Sequence, residues 1–286
     1  MINFLAISWA PSPEIFSIGP IHIRYYSILF VSGFIIGYYI VSGFFKREKL
    51  PTHILDTLLY TLLGATLIGA RIGHCLFYQP DYYLAHPIEI LKVWEGGLAS
   101  HGGAIAILLG MWWYVAKYGK LYNFDFLWLM DRVMIPTALT AAMIRLGNLM
   151  NSEIYGNPTD APWGFIFTLR GETIPKHPTQ LYEALAYFVI FVVLMIIYRN
   201  FLPKLKRGTL FGLFLIGMFT ARFFIEFAKE PQVAFEQGMT LNMGQWLSIP
   251  FVVGGTLLLI YSIYKGKPAM IEAGTKVTPT GSRVKK

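Results

Sequence analysis

The chain has 286 residues, of which 55% are hydrophobic and 14% charged, with a formal net charge of +8 and a mean hydropathy of +0.51. That balance excludes a soluble globular domain and a disordered chain, and leaves a membrane protein that crosses the bilayer several times. A single cysteine, Cys75, excludes an internal disulfide framework and a cysteine-based metal cluster, and in its apolar run it reads as a small buried hydrophobe.

The first residues carry Pro11, Pro13, Glu14 and Pro20 but no basic n-region, so they read as an external arm (1–24) rather than a cleaved signal peptide. A bilayer core needs about 20 apolar residues per helix, and the chain offers seven such stretches: Tyr26–Phe45, Ile54–Tyr78, Leu98–Val115, Leu129–Met150, Gln180–Tyr198, Leu210–Phe227 and Met243–Tyr264. The predicted fold class is therefore an all-α integral membrane protein. Its membrane domain (25–266) carries one long external connector (151–179), followed by a basic, disordered cytoplasmic tail (267–286). Connectors after the odd-numbered stretches hold fifteen of the twenty-four Lys and Arg residues, among them Lys46, Arg47, Lys117, Arg199, Lys206 and Arg207. The arm and the other connectors hold five, so the positive-inside rule puts the N-terminus outside and the C-terminus in the cytoplasm. The basic charge then reflects topology and anionic inner-leaflet lipid, and gives no reason to invoke nucleic acid. Trp112 and Trp113 read as part of an interfacial aromatic belt.

Four arginines remain inside the apolar stretches: Arg71, Arg132, Arg145 and Arg222. An arginine at a helix centre costs roughly 2.5–3.5 kcal/mol on insertion scales, so it snorkels, pairs or lines a polar cavity. Arg132 follows Asp131 at the cytoplasmic start of its stretch and reads as structural. The other three fall in the later part of stretches that run outwards. Level with them are Tyr26 and the openings of the third and fifth stretches, His101-Gly102-Gly103 and His177 to Glu183, which predicts one polar cavity in the outer leaflet. Arg145 and Asn148 share a helix face at i,i+3, and Arg222 and Glu226 at i,i+4. Arg145 has no acid at helical spacing, so its counter-charge is Glu153 or a ligand. Gly102 and Gly103 open a helix whose N–H groups suit an anion, and three arginines around them suggest phosphate. A bland reading stands beside this one, in which Arg222–Glu226 and Arg71–Glu183 are ion pairs that only fix helix register.

The ordered motifs Ile15–Pro20, Gly69–Gly73 (GARIG), Trp94–Gly103 (WEGGLASHGG), Arg145–Glu153 (RLGNLMNSE), Lys176–Glu183 (KHPTQLYE), Arg222–Phe227 (RFFIEF) and Met243–Pro250 (MGQWLSIP) resemble the bacterial prolipoprotein diacylglyceryl transferase family over nearly the whole chain. The resemblance implies a seven-span plasma-membrane enzyme with its site towards the outer leaflet. Such an enzyme moves the diacylglyceryl group of phosphatidylglycerol to the lipobox cysteine of a preprolipoprotein, releasing glycerol 1-phosphate. It implies no cofactor and no metal, and only membrane lipids as further surroundings. Carried over by motif, the implied catalytic residues are His101, Arg145 and Arg222, with Tyr26, Arg71, Gly102, Gly103, Asn148, Asn151, Glu153, Gly156 and Glu226 as substrate-binding residues. Two positions depart from the family pattern: Ser152 stands where a glycine is frequent, and Met218 where a tyrosine is.

In the implied reaction the arginines bind the phosphate and hold it more strongly as charge develops on the leaving oxygen. His101 accepts the thiol proton, with Glu153 and Glu226 as alternative acceptors or as partners that orient the arginines. An anion transporter or channel built on the same arginine cavity is the alternative, but it calls for internal repeats around a midplane site, and the sequence has none.

Overall fold

The computed structural model describes residues 6–19, 21–93, 96–230 and 238–271. Pro20, Trp94 and Glu95 of the quoted motifs and residues 272–286 of the tail lie outside the described residues.

Among the described residues eight α-helices follow one another: α1 (Tyr25–Arg47), α2 (Thr52–Phe77), the short α3 (Pro80–Ala85), α4 (Ser100–Tyr122), α5 (Phe126–Met150), α6 (Thr179–Phe201), α7 (Thr209–Ile225) and α8 (Met243–Lys265). The seven long ones coincide with the seven apolar stretches. Among the described residues six are long and apolar enough to cross a bilayer: α1, α2, α5, α6, α7 and α8. α4 has the length, at 23 residues, but Gly102, Gly103, Trp112, Trp113 and Lys117 dilute its apolar character.

Burial is inverted relative to a soluble fold. Large apolar side chains such as Tyr39, Leu109, Trp112, Val189, Leu257 and Ile263 are exposed on helix faces, while Asp131, Arg132, Gln180, Glu183 and Lys229 are buried. Lipid solvates the first group and forces the second to find partners within the protein.

The chain is mostly helical, as expected, and among the described residues two short strand pairs accompany the helices, three of their strands lying before α1 and the fourth between α5 and α6. β1 (Ile7–Trp9) runs parallel to β4 (Phe165–Phe167), pairing Ile7 with Phe165 and Trp9 with Phe167. β2 (Glu14–Ile18) and β3 (Ile21–Arg24) form an antiparallel pair with an irregularity between Glu14 and Phe16. These segments lack a helical period but still need backbone partners, which a strand pair supplies. The tail begins with order as well. Lys206 bridges Pro268, the Ala269 N–H donates to the Leu205 carbonyl at 2.9 Å, and Ala269 is buried.

The chain divides into two compact units, Met1–Ile40 with Met130–Met270, and Val41–Leu129 with Ile271–Lys286. In the first, α7 packs on α6 and α8. In the second, α2 packs on α4 through glycines. Gly69 and Gly73 of α2 stand one turn apart, and a methyl group added to Gly102 would lie 2.3 Å from the Gly69 carbonyl and 2.7 Å from the Gly73 Cα. This is the small-residue crossing that lets helix backbones approach in lipid.

Candidate functional site

The C-terminal end of α5 is where the first unit gathers its polar side chains. Asn148 donates to Glu153 Oε1 at 2.7 Å, Asn151 donates to the same oxygen at 3.2 Å, and Arg145 Nη1 reaches Asn148 Oδ1 at 3.4 Å. The chain can bring Glu153 back onto α5 because Ser152 and Ile154 adopt φ of 51° and 62°. Left-handed backbone costs an L-residue roughly 1–2 kcal/mol, which explains why glycine suits position 152. The turn is held from outside by Gln180 Nε2 on the Glu153 carbonyl (2.7 Å), Thr179 Oγ1 on the Ile154 carbonyl (2.9 Å) and Arg170 on the carbonyls of Asn151 (3.0 Å) and Ser152 (3.1 Å). Tyr26 lies against Gly147, where a methyl group would stand 2.8 Å from its ring.

Gln180 and Thr179 open α6, and one turn further on that helix delivers Glu183. Its Oε2 lies 3.0 Å from Arg145 Nε. The counter-charge of Arg145 is therefore Glu183, a residue the sequence reading had paired with Arg71. Glu183 Oε1 accepts from Lys229 Nζ at 3.0 Å and from the Tyr187 hydroxyl at 3.1 Å. Lys229 also donates to Glu226 Oε1 at 2.9 Å, and Glu226 Oε1 lies 3.4 Å from Arg222 Nη2.

The five groups form one alternating ladder, Arg145–Glu183–Lys229–Glu226–Arg222, drawn from α5, α6, α7 and the segment after it. Its middle is sealed and its ends are open. Side-chain exposure is 0% at Glu183, 3% at Lys229 and 7% at Glu226, against 16% at Arg145 and 35% at Arg222.

Two glycines explain how the ladder closes. A methyl group on Gly156 would stand 2.2 Å from the Ala228 carbonyl, so only glycine lets the 156–157 backbone meet the chain carrying Lys229; the Asn157 N–H donates to that carbonyl at 2.8 Å. A methyl group on Gly244 would stand 2.5 Å from the Glu226 carboxyl carbon. Asn242 caps α8 in a reciprocal box with Gln245 and donates to Glu226 Oε2 at 3.1 Å. Among the described residues, the buried side-chain atoms without a hydrogen-bond partner are Asn151 Oδ1, Ser152 Oγ, Gln180 Oε1 and Glu183 Oε2. All four belong to this cluster. The Arg145–Glu183 contact is thus close but off the hydrogen-bonding line.

The second unit holds the remaining predicted residues. His101 is exposed on the first turn of α4. Gly102 and Gly103 are buried, and the Gly103 N–H, expected to face an anion, is spent on the Ala99 carbonyl at 3.2 Å. Gly102 serves the crossing with α2. Arg71 donates to the carbonyls of Glu89 (2.6 Å), Gly96 (2.6 Å), Ile90 (3.0 Å) and Gly97 (3.4 Å), and stacks over the Tyr83 ring. Its contacts are those of a tie that holds the connector. It also lines a cavity of about 720 Å³ together with His74, Tyr78, Tyr82 and Tyr83.

Glu183, which the sequence pairs with Arg71 rather than Arg145, and Lys229, which joins the two glutamates, are the ladder residues that sequence reasoning does not place in the site. Lys229 is one of the five basic residues outside the cytoplasmic connectors, and its signal in the sequence is that Arg222, Glu226 and Lys229 follow each other at helical spacing.

A helical protein that buries a ladder of ions in an apolar setting, with a partly exposed arginine at each end, is a membrane protein whose polar cluster is suited to an anionic group. The comparison with known proteins narrows this. A family model described as prolipoprotein diacylglyceryl transferase matches residues 13–261, and the chain belongs to that family of transferases. Phosphatidylglycerol–prolipoprotein diacylglyceryl transferase of Tolumonas auensis is 51% identical over 89% of this chain and 96% of its own length. The proteins of that name from Chloroherpeton thalassium and Bacteroides fragilis are 47% and 45% identical over 93% and 90% of this chain, and 97% and 95% of their own.

Proposed function

We propose that the protein transfers the diacylglyceryl group of phosphatidylglycerol to the lipobox cysteine of preprolipoproteins in the bacterial plasma membrane, forming a thioether and releasing glycerol 1-phosphate. The observation that carries this reading is the ladder, whose two end arginines stay partly exposed and meet their carboxylates through single contacts, in a chain whose relatives bear that activity in their names. The peptide thiol gives up its proton, the sulfur bonds to the terminal glycerol carbon, and the carbon–oxygen bond breaks with its electron pair going to the phosphate. Arg145 and Arg222 bind the phosphate and stabilise the charge that grows on the departing oxygen.

His101 is the proton acceptor in this reading. Glu226 already accepts from Lys229 and Asn242 and faces Arg222, and Glu153 accepts from two asparagines, so both carboxylates suit orientation better than proton transfer. Tyr26, Asn148, Asn151 and Gly156 shape the lipid headgroup site, and Tyr187 supplies a buried hydroxyl to the ladder. Arg71, Gly102 and Gly103 serve by holding α4 and its connector in place. The topology that fits is seven spans including α4, with the arm (1–24), connector 151–179 and reaction site on the outer side, and residues 267–286 in the cytoplasm.

One reaction tests the proposal: purified protein, phosphatidylglycerol and a lipobox peptide, with the lipidated peptide measured by mass. A peptide heavier by one diacylglyceryl group is the expected result, and Cys75→Ala, which removes a buried thiol, retains it. Folded protein that leaves the peptide unmodified would overturn the reading.

A further inference from the structure

Lys229 is the one cation of the ladder that the proposed chemistry does not use, and it occupies the middle. Its ammonium touches Oε1 of both carboxylates, at 3.0 Å from Glu183 and 2.9 Å from Glu226. Arginine meets a carboxylate best as a fork, two parallel N–H groups on two oxygens. Neither ladder arginine does so here. Arg145 reaches Glu183 through Nε alone, its Nη1 lying 3.4 Å from Asn148, and Arg222 reaches Glu226 through Nη2 alone.

Both carboxylates are buried, so an oxygen released by Lys229 has no water to turn to. The nearest remaining cations would be the arginines themselves. Glu183 Oε1 would keep only the Tyr187 hydroxyl and would turn onto Arg145 beside Oε2 as a fork, and Glu226 Oε1, now held by Arg222 alone while Oε2 stays with Asn242, would tighten onto that arginine; both moves occupy N–H groups that a phosphate needs. We propose that Lys229 is a positioning residue that keeps Glu183 from forking onto Arg145 and draws Glu226 Oε1 away from Arg222, and so reserves the outer donors of Arg145 and Arg222 for a phosphate-bearing ligand. This rests on the proposed reaction for the identity of the ligand, a phosphoglycerol headgroup, while the geometry requires only a phosphate monoester or diester.

The test compares wild type, Lys229→Met and Lys229→Arg in detergent. It reads kcat and KM for phosphatidylglycerol, and binding of glycerol 1-phosphate by calorimetry. Lys229→Met keeps the stem but loses the charge. It is expected to raise KM and the glycerol 1-phosphate dissociation constant together, by about tenfold or more, with a smaller change in kcat. Lys229→Arg, which can still hold both carboxylates, is expected to restore both constants to within about threefold of wild type. Glu183→Gln added to Lys229→Met removes one competing charge and is expected to recover part of the lost binding.

A purely structural lysine predicts otherwise: Lys229→Met would lower the melting temperature while the surviving folded enzyme kept wild-type KM and wild-type binding, and that result overturns the proposal. Should Lys229→Met give no folded protein, Lys229→Gln, a neutral amide one bond too short to hold both carboxylates at once, is expected to raise the same two constants, and unchanged values again overturn the proposal. Wild-type protein that binds glycerol 1-phosphate but makes no thioether refutes the proposed reaction and leaves this inference standing; wild-type protein that does not bind it refutes the inference.

Discussion

Two groups of buried charge sit in the same unit and look alike in sequence, yet they are finished differently. Asp131 accepts the N–H groups of Gly208 and Phe211, both at 2.8 Å, where α7 begins; Arg132 donates to the Ala269 carbonyl at 2.8 Å and lies over the Tyr198 ring. Both side chains are completely buried and bound to backbone groups that cannot leave. Arg145 and Arg222 instead lean on carboxylates through single contacts and keep part of their surface open. Burial alone therefore does not mark a working arginine. The identity of its acceptor does, and by that standard Arg71, bound to four carbonyls, stands with Arg132 rather than with Arg145 and Arg222.

The sharpest way to break this comparison is to make the same substitution on both sides of it. Arg145→Lys and Arg222→Lys keep the charge but lose the planar fork. Turnover per folded enzyme is expected to fall by about 10²–10³, the usual cost of losing a donor to a developing anion, with little change in detergent melting. Arg132→Ala is expected to do the reverse, keeping turnover in whatever folds while removing about 3–5 kcal/mol of stability, because Asp131 stays buried. Near-wild-type turnover in Arg145→Lys would merge the two groups.

A smaller effect sharpens the same distinction at the glycines. Gly102→Ala puts a methyl group into the α2 backbone and is expected to cost about 1–3 kcal/mol, seen as a lower melting temperature. Gly103→Ala would place its methyl group 3.5 Å from the Thr66 carbonyl, an ordinary contact, and should melt and react almost as wild type. Equal loss in both would return the pair to an anion-binding role.

The smallest effect belongs to an ion cluster in the connector, where Lys176 bridges Glu172 at 2.9 Å and also contacts Glu230. Burial pushes the Glu172 carboxyl up, but hydrogen bonds from Lys176 and Tyr155 outweigh it and hold the group below its ordinary value. Burial pulls Lys176 down, and its bonds to Glu230 and Glu172 outweigh that, leaving it above its ordinary value. The Glu172 contribution is thus fully present above the unfolded carboxyl pKa and fades as pH falls through the lower folded one; that of Lys176 is present below the unfolded lysine pKa and fades as pH rises through the higher folded one. Melting curves of wild type and Glu172→Gln are expected to differ by a constant amount at neutral pH, worth less than about 1 kcal/mol, and to converge in acid. A gap that persists in acid would show that packing, rather than charge, is at stake.

The long helices were legible because lipid imposes a length and a composition on any helix that crosses it. α5 ends at Met150 and α8 begins at Met243, as the sequence suggested. The strands were not legible: β1 is three residues long, and its partner β4 lies far along the chain, so no local period reveals the pair. In the site, Arg145 with Asn148 and Arg222 with Glu226 could be read because helical spacing places them on one face. Glu183 as the partner of Arg145 could not, since the pair joins two helices through a turn at Ser152 and Ile154 that residue types alone do not predict. Gly156 was carried over from the family pattern, and the Ala228 carbonyl beneath it supplies the physical reason.

The bond from Arg132 to the Ala269 carbonyl also has a meaning during synthesis. α5 is threaded into the bilayer well before the ribosome has made its partners: Gly208 and Phe211 arrive some eighty residues later, and Ala269 comes 137 residues after Arg132. Until then the nascent helix carries an arginine and an aspartate whose final backbone partners do not yet exist, a state that favours retention beside the insertion machinery over release into lipid. Completion of α8 and the four residues beyond it supplies the Ala269 carbonyl, so a chain cut short before Pro268 would keep its α5 charges without that last partner and exposed to membrane proteases.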